Sequence, residues 1–157
     1  MKVVLDTSAI IYLSDFRIFD EMFTVQEVLS EVKDRISSMK LSALNLKVEE
    51  PNEKFLREIE KVAEETGDAE KLSKTDLKVL ALAREKSCAI ISDDRSIQNV
   101  AKRLGIKFIS IFNKRISKFI IWGKYCKNCK RFCEEKICSI CGSKTERKPK
   151  VVEEIKP

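Results

Sequence analysis

Two kinds of residue in this chain are spaced for chemistry. The first is a set of acids at the edges of apolar runs. Asp6 closes Lys2-Val3-Val4-Leu5, Glu31 lies in an amphipathic helical stretch, Asp76 ends Ser73-Lys74-Thr75-Asp76, and Asp93-Asp94 follow Cys88-Ala89-Ile90-Ile91-Ser92. Acids at the carboxyl ends of buried parallel strands sit where open α/β sheets place their ligands. Three or four carboxylates in one cleft repel each other and are tolerated when a divalent cation neutralises them. An all-oxygen ligand set selects Mg²⁺ or Mn²⁺ over zinc. A cation held there supplies an activated water and stabilises charge on a phosphoryl oxygen, without an imidazole. The chain has 0 histidines, which excludes Ser-His-Asp hydrolases, Cys-His enzymes and histidine acid/base nucleases. Each acid alone has an ordinary reading as well. Asp6 and Asp94 suit helix N-caps, Asp76 suits the acid of a capping box, and Glu31 lies roughly 100° from the centre of its apolar stripe, as a solvated residue would.

The second kind is cysteine. Cys126-x-x-Cys129 and Cys138-x-x-Cys141 form two pairs separated by eight residues. Four thiolates at this spacing fit a closed, structural zinc site. Gly142 follows for a tight turn, and a segment this short depends on its metal to fold. Cys133 is spare between the pairs, and Cys88 reads as a buried thiol without chemistry. Around them lie Lys124, Lys127, Lys130, Arg131, Lys136, Lys144, Arg147 and Lys148, with Tyr125 and Phe132 interleaved. These residues suit phosphate contacts and base stacking, or packing around the metal. No apolar run approaches a membrane span and no signal-peptide pattern is visible. A cytoplasmic, reducing compartment is therefore expected, and cysteine pairs there bind metal rather than form disulfides.

The elements that must position these residues follow from periodicity. Val3 to Asp6 predicts a buried strand, followed by a short helix from Thr7 to about Asp15. Phe16 to Phe23 reads as a connector. Thr24-Val25-Gln26-Glu27 reads as a capping box stapled by Phe23 and Val28, opening a helix that buries Val25, Val28, Leu29, Val32 and Ile36. Leu44, Leu46 and Val48 alternate as a short strand ending before Pro51. Phe55, Ile59, Val62 and Ala63 mark a helix stopped near Gly67, and Ser73 to Asp76 opens another with Leu77, Leu80 and Ala81 inside. A strand over Cys88–Ser92, a helix over Ile97, Val100, Ala101 and Leu104 closed by Gly105, and a strand over Lys107–Ile111 complete the pattern. This order predicts a parallel α/β sheet flanked by helices. Glycine is too scarce for a dinucleotide or P-loop fingerprint, with 4 in 157 residues.

Charge divides the chain. Residues 1–112 carry 18 basic and 20 acidic groups, and residues 113–157 carry 13 and 5. A basic appendage on a near-neutral domain points to a polyanion partner. Charged residues are 36% of the whole, mostly Lys and Glu, as in heat-adapted proteins.

The runs VVLDTSAII, TVQEVLSEV, LSKTDLKVLALA and ISDDRSIQNVAKRLG, in that order, resemble the successive motifs of a PIN-domain nuclease over about residues 1–112. The resemblance implies that Asp6, Glu31, Asp76 and one of Asp93 and Asp94 hold a catalytic Mn²⁺ or Mg²⁺, with Thr7 or Ser8 in support. Asp94 is favoured, with Asp93 as a neighbouring or alternative ligand. A PIN-like domain (1–112), a linker (113–122), a zinc ribbon (123–149) and a flexible tail (150–157) together resemble the Nin-one-binding (Nob) ribosome-assembly endonucleases, in a compact archaeal form. LKVEEPNEKF and TGDAEKLSKTDLKVLALA add to this likeness. It implies cleavage of precursor small-subunit rRNA at the mature 3′ end, leaving a 3′-hydroxyl and a 5′-phosphate. The partners implied are the pre-rRNA, the small-subunit precursor and ribosome-assembly factors. The competing readings are a toxin-type PIN ribonuclease, a non-catalytic RNA-binding scaffold and a zinc-ribbon module that binds only protein.

Overall fold

In the computed structural model, which describes residues 1–33, 35–36 and 38–156, five short parallel strands form one sheet. They are β1 (Lys2–Leu5), β2 (Glu21–Thr24), β3 (Lys47–Val48), β4 (Ala89–Ile91) and β5 (Phe108–Ile109), in the order β3-β2-β1-β4-β5. Val3, Val4, Leu5, Ile90 and Ile91 are fully buried. Uninterrupted apolar strands are what a parallel sheet covered on both faces requires. The helices that cover it are α1 (Thr7–Tyr12), α2 (Gln26–Val32), α3 (Ser38–Ala43), α4 (Glu53–Thr66), α5 (Lys74–Lys86) and α6 (Arg95–Leu104). The strand order reverses between β1 and β4, so a crevice opens beyond their carboxyl ends. Asp6 follows β1 and the Asp93-Asp94 pair follows β4.

The helices end as their local chemistry dictates. Ser73 and Asp76 form a complete capping box on α5, Asn52 caps α4 and Asp94 caps α6. Gly67 and Gly105 close α4 and α6 in the left-handed region, at φ of 78° and 70°.

Several expectations for the first domain need correction. The connector over 16–23 contains the start of β2. Thr24 is no cap: it ends that strand, and its hydroxyl donates to the Leu5 carbonyl at 2.9 Å, while α2 begins after Val25 with no side-chain cap. The hydroxyl is drawn away because β1 lies alongside and offers a buried acceptor. The strand over 44–48 shrinks to Lys47–Val48 and is preceded by α3, whose single turn and a half carries too few apolar residues for a clear period. The first helix stops at Tyr12 rather than Asp15, where Leu13 turns extended.

A second sheet carries the cysteines. Its antiparallel strands are β6 (Lys118–Cys126), β7 (Arg131–Cys133) and β8 (Glu146–Glu154), in the order β7-β6-β8. The hinge expected over 113–122 thus holds the first half of β6, and the tail expected from 150 holds the second half of β8. A register shift at Ile121/Trp122 sets Ile121 opposite Val151 and Trp122 opposite Pro149. This irregularity accommodates a proline that cannot donate to the ladder.

The two sheets are tied together. The Asn99 side-chain amide donates to the Ile120 carbonyl at 2.7 Å and to Asp68 Oδ2 at 2.7 Å, and Ile120 N–H returns a bond to Asn99 Oδ1 at 2.9 Å. The Arg147 guanidinium donates to Asp68 Oδ1 at 2.8 Å. Gly67 lies against Trp122 so closely that a Cβ there would sit 2.4 Å from the Trp122 carbonyl oxygen.

Candidate functional site

The crevice at the switch point gathers acids from four elements. Asp6 is 7% exposed and caps α1, accepting the Ala9 N–H on Oδ1 at 2.7 Å. Asp76 Oδ2 accepts the Ser73 N–H at 2.8 Å, and Asp94 Oδ1 accepts the N–H groups of Ser96 and Ile97 at 2.8 and 3.1 Å. Each aspartate therefore holds a helix start with one oxygen. The ordinary reading of these acids as caps is correct, and one carboxylate oxygen of each does the capping. Glu31 is the clasp. Its Oε2 accepts from Thr7 Oγ1 at 2.5 Å and its Oε1 from Thr75 Oγ1 at 2.9 Å, which ties the residue after Asp6 to the residue before Asp76.

The electrostatics are those of a site short of positive charge. Burial first, and then the charges of Asp76 and Asp94, push the Asp6 carboxyl up to about 6, against hydrogen bonds from Ser92 and the Ala9 amide. Asp76 is raised above its ordinary value for the same reasons: burial, and the charges of Asp94 and Glu31. None of these four acids forms an ion pair with a lysine or arginine among the described residues. Among the described residues, the group of potential ligands that gathers three or more within 4.8 Å of one another is the cysteine cluster.

The two adjacent acids after β4 part company. Asp93 turns to the end of β5, where its carboxylate accepts from Ser110 Oγ, from Ile111 N–H at 2.8 Å and from Phe112 N–H at 3.0 Å. Burial alone would raise its pKa, but these donors outweigh it and hold the carboxyl below its ordinary value. Asp94 faces the other way and acts on Asp6 and Asp76. Sequence reading missed two further residues of the crevice. Ser92 is fully buried, bonds Asp6, and accepts the Asp94 N–H at 3.1 Å, and Thr75 holds Glu31. Their signal was only a hydroxyl residue next to an acid.

At the far end, Cys126, Cys129, Cys138 and Cys141 bring their sulfurs within 4.8 Å of one another. The Cys126–Cys141 and Cys129–Cys138 separations are 3.5 and 3.8 Å. Tetrahedral zinc–thiolate bonds require about 3.8 Å between sulfurs, so the thiols present fit that ion. The Cys129 N–H points at Cys126 Sγ at 3.4 Å, and backbone amides of Cys141 and Ile140 bring the Cys138 thiol down to about 7. Cys133 stands outside the cluster.

The cations expected to meet RNA are differently placed. Arg131 turns inward, its guanidinium donating to Cys138 Sγ at 3.6 Å and Ser139 Oγ at 3.3 Å. Lys124 donates to the Glu134 carbonyl at 3.2 Å, Lys127 pairs with Glu146 at 3.2 Å, and Lys136 pairs with Glu70 of the first domain at 3.1 Å. Lys130 and Lys144 have no ion pair among the described residues. Tyr125 and Phe132 pack edge to face, ring centres 5.3 Å apart, with Lys148 Nζ 3.9 Å from the Tyr125 ring centre.

Comparison with known proteins matches these parts. Residues 3–85 fit the family described as the PIN domain of ribonuclease. Endoribonuclease Nob1 of Archaeoglobus fulgidus is 41% identical over 145 residues, covering 89% of this chain and 86% of the relative. Endoribonuclease Nob1 of Pyrococcus abyssi is 40% identical over 158 residues, covering 96% and 95%. Among solved structures, a PilT N-terminus domain protein from Sulfolobus solfataricus superposes with a TM-score of 0.51 at 18% identity, over 73% of this chain and 90% of that one, a likeness of fold. The domain match spans more than half the chain and the relatives are covered almost end to end, so this chain belongs to the PIN-domain ribonucleases and, among them, to the Nob1 endoribonucleases.

Proposed function

We propose that this endoribonuclease cuts precursor small-subunit rRNA to form its mature 3′ end, with Asp6, Glu31, Asp76 and Asp94 holding a catalytic Mn²⁺ or Mg²⁺. The observation that carries this is the division of labour within the three aspartates. Each caps a helix with one oxygen, and none has a cationic partner among the described residues. Bound there, a divalent cation supplies an activated water and offsets charge on the scissile phosphate. The protein's own part is to hold the ligands still. The α1, α5 and α6 amides fix the aspartates, Thr7 and Thr75 fix Glu31, and Ser92 joins Asp6 to the backbone of Asp94. Asp93 anchors the end of β5 and stands outside this ligand set. The four thiols hold one structural zinc with a closed shell. The basic ribbon supplies affinity through phosphate contacts, while the crevice supplies chemistry. The working context is a precursor ribosomal particle in the cytoplasm, with assembly factors as further partners. No helix among the described residues is long and apolar enough to cross a membrane.

The test is cleavage of a labelled RNA spanning the small-subunit 3′ junction, and of purified precursor particles, with Mn²⁺, with Mg²⁺ and with neither. Cutting at one junction, lost without metal and in Asp6→Asn while RNA still binds, is the expected result. Binding without cutting on both substrates under every condition would leave an RNA-binding scaffold.

A further inference from the structure

Between the parallel-sheet domain and the ribbon lies a cleft of about 490 Å³. Both bodies wall it: Arg95 and Ser96 begin α6, Arg115 and Lys118 lead into β6, and Trp122 and Arg147 come from β6 and β8. Four of these six residues are cations, and they differ in how far they are committed. The Arg147 guanidinium is held by Asp68 and lies 3.9 Å over the Trp122 ring. Lys118 makes a loose, exposed pair with Glu154 at 3.6 Å. Arg95 and Arg115 have no carboxylate partner among the described residues, and the Arg115 guanidinium lies 5.1 Å from the Phe108 ring centre.

Arg95 is also poorly placed for its own helix. It is the first residue of α6, at the positive end of the aligned peptide dipoles, whereas Lys102 and Arg103 occupy the favourable last turn. A cation kept against the local field at the mouth of a cleft marks a site where something other than stability holds the residue in place. None of the four acids lines the cleft, but its wall begins one residue beyond Asp94. Ser96 in its wall donates its N–H to Asp94, and Arg95 is the next residue along the chain.

We propose that this cleft binds the phosphodiester backbone of a single RNA strand and feeds it to the acidic crevice, with Arg95 and Arg115 on successive phosphates and the Trp122–Arg147 stack as its floor. The proposal rests on the nuclease reading above and adds the path of the strand. Guanidinium groups present a planar fork that matches phosphate oxygens. A volume in the range of small-ligand sites suits one extended strand and not a duplex. The pairing of a cationic wall with an aromatic floor is the usual construction of a single-strand channel.

The experiment uses the full zinc-loaded chain carrying Asp6→Asn, so that no RNA is cut, and reads the anisotropy of a fluorescent single-stranded oligoribonucleotide across a salt series. Adding Arg95→Ala and Arg115→Ala should weaken binding about tenfold. It should also reduce the slope of log K against log salt by about 1.4, two phosphate contacts for a single strand. The melting temperature should hold or rise. Arg57→Ala with Lys61→Ala, an equal charge change on α4 outside the cleft, should leave the slope as it was. Unchanged affinity and slope in the cleft variant, or an equal loss in the α4 control, would overturn the proposal. A matched duplex that binds as tightly as the strand, and loses as much in the cleft variant, would also overturn it. The two readings fail separately. A wild-type chain that cuts no RNA while the cleft variant still loses affinity removes the nuclease assignment and leaves the cleft. Normal junction cutting with unaltered binding in the cleft variant removes the cleft alone.

Discussion

Asp6 sits where a carboxylate is least comfortable, and that discomfort is measurable. In the unfolded chain it releases its proton near 4, and in the folded chain near 6, because burial and the charges of Asp76 and Asp94 disfavour the ionised form. Between those values the folded state binds more protons, so stability falls as pH rises through that window, and the penalty is complete above about 6. The shift is worth at most about 3 kcal/mol. With no Mn²⁺ or Mg²⁺ present, Asp6→Asn should therefore raise stability by about 1–3 kcal/mol at pH 7 in urea unfolding. The gain should vanish near pH 4, and RNA cleavage should be lost at every pH. A destabilised Asp6→Asn at pH 7 would mean that Asp6 is a structural cap only. The pair after β4 gives a second contrast. Asp93→Asn keeps one oxygen for Ser110 and Ile111 but replaces the acceptor of the Phe112 N–H with an amide donor, and should cost about 1–3 kcal/mol while leaving cleavage per folded molecule. Asp94→Asn should keep its cap and lose cleavage. Equal losses of cleavage in both would contradict the division seen in the structure. The sequence displayed these acids but could not separate Asp93 from Asp94. Adjacent residues at a strand end point to opposite sides, and which side is the crevice depends on β5, fifteen or more residues away in the chain.

Elements were legible where their own residues decide them and obscure where a neighbour does. The Asp94 and Ser73 caps, the Gly67 and Gly105 stops and the apolar runs of β1 and β4 needed only local chemistry. Thr24 was misread because the competing acceptor, the Leu5 carbonyl, belongs to a strand that sequence cannot place alongside. Gly67 and Gly105 turn this distinction into a measurement. Both have positive φ, and an alanine pays the left-handed strain at either, about 1–2 kcal/mol. At Gly105 the new methyl meets nothing within 4 Å, whereas at Gly67 it meets the Trp122 backbone and Cβ at under 3 Å. Backbone cannot swing aside as a side chain does. Gly67→Ala should thus lose at least about 1–2 kcal/mol more than Gly105→Ala in denaturant unfolding, by the cost of overpacking. Equal losses would show that the contact between α4 and β6 contributes little to holding the ribbon.

At the scale of the whole molecule, the ribbon is fastened at both ends by different chemistry. The thiols gather β7 and the turns beside it, whereas Asn99 holds Ile120 near the start of β6, and Asp68 holds Arg147, opposite Lys124, to the first domain. In sequence, residues 113–122 read as a linker whose apolar half docks on the first domain or starts the ribbon, and it does start β6; residues 150–157 read as a tail because β8 is exposed along its length and shows no buried face. Its order comes from pairing with β6, which no local pattern announces. The two fastenings predict how the molecule loosens when its metal is removed. A zinc-selective chelator should collapse hydrogen-exchange protection over roughly residues 124–145, where ordered backbone depends on the four sulfurs. Protection at Phe119 and Ile120 should persist, since Phe119 is buried and the Ile120 N–H is held by Asn99. RNA binding should weaken with the ribbon's tip and grow less steep in salt as its lysines lose their fixed arrangement. Arg147→Ala should produce the complementary pattern. It leaves Asp68 buried with only neutral partners at a cost of about 1.5–3 kcal/mol, the range for a charged hydrogen bond. It should loosen the pairing of residues 122–124 with residues 147–149, while Ile120 stays held by Asn99 and the thiol cluster stays protected. If the chelator instead released both ends together, the zinc would be organising the whole second sheet, and the docking contacts would be its consequence rather than an independent support.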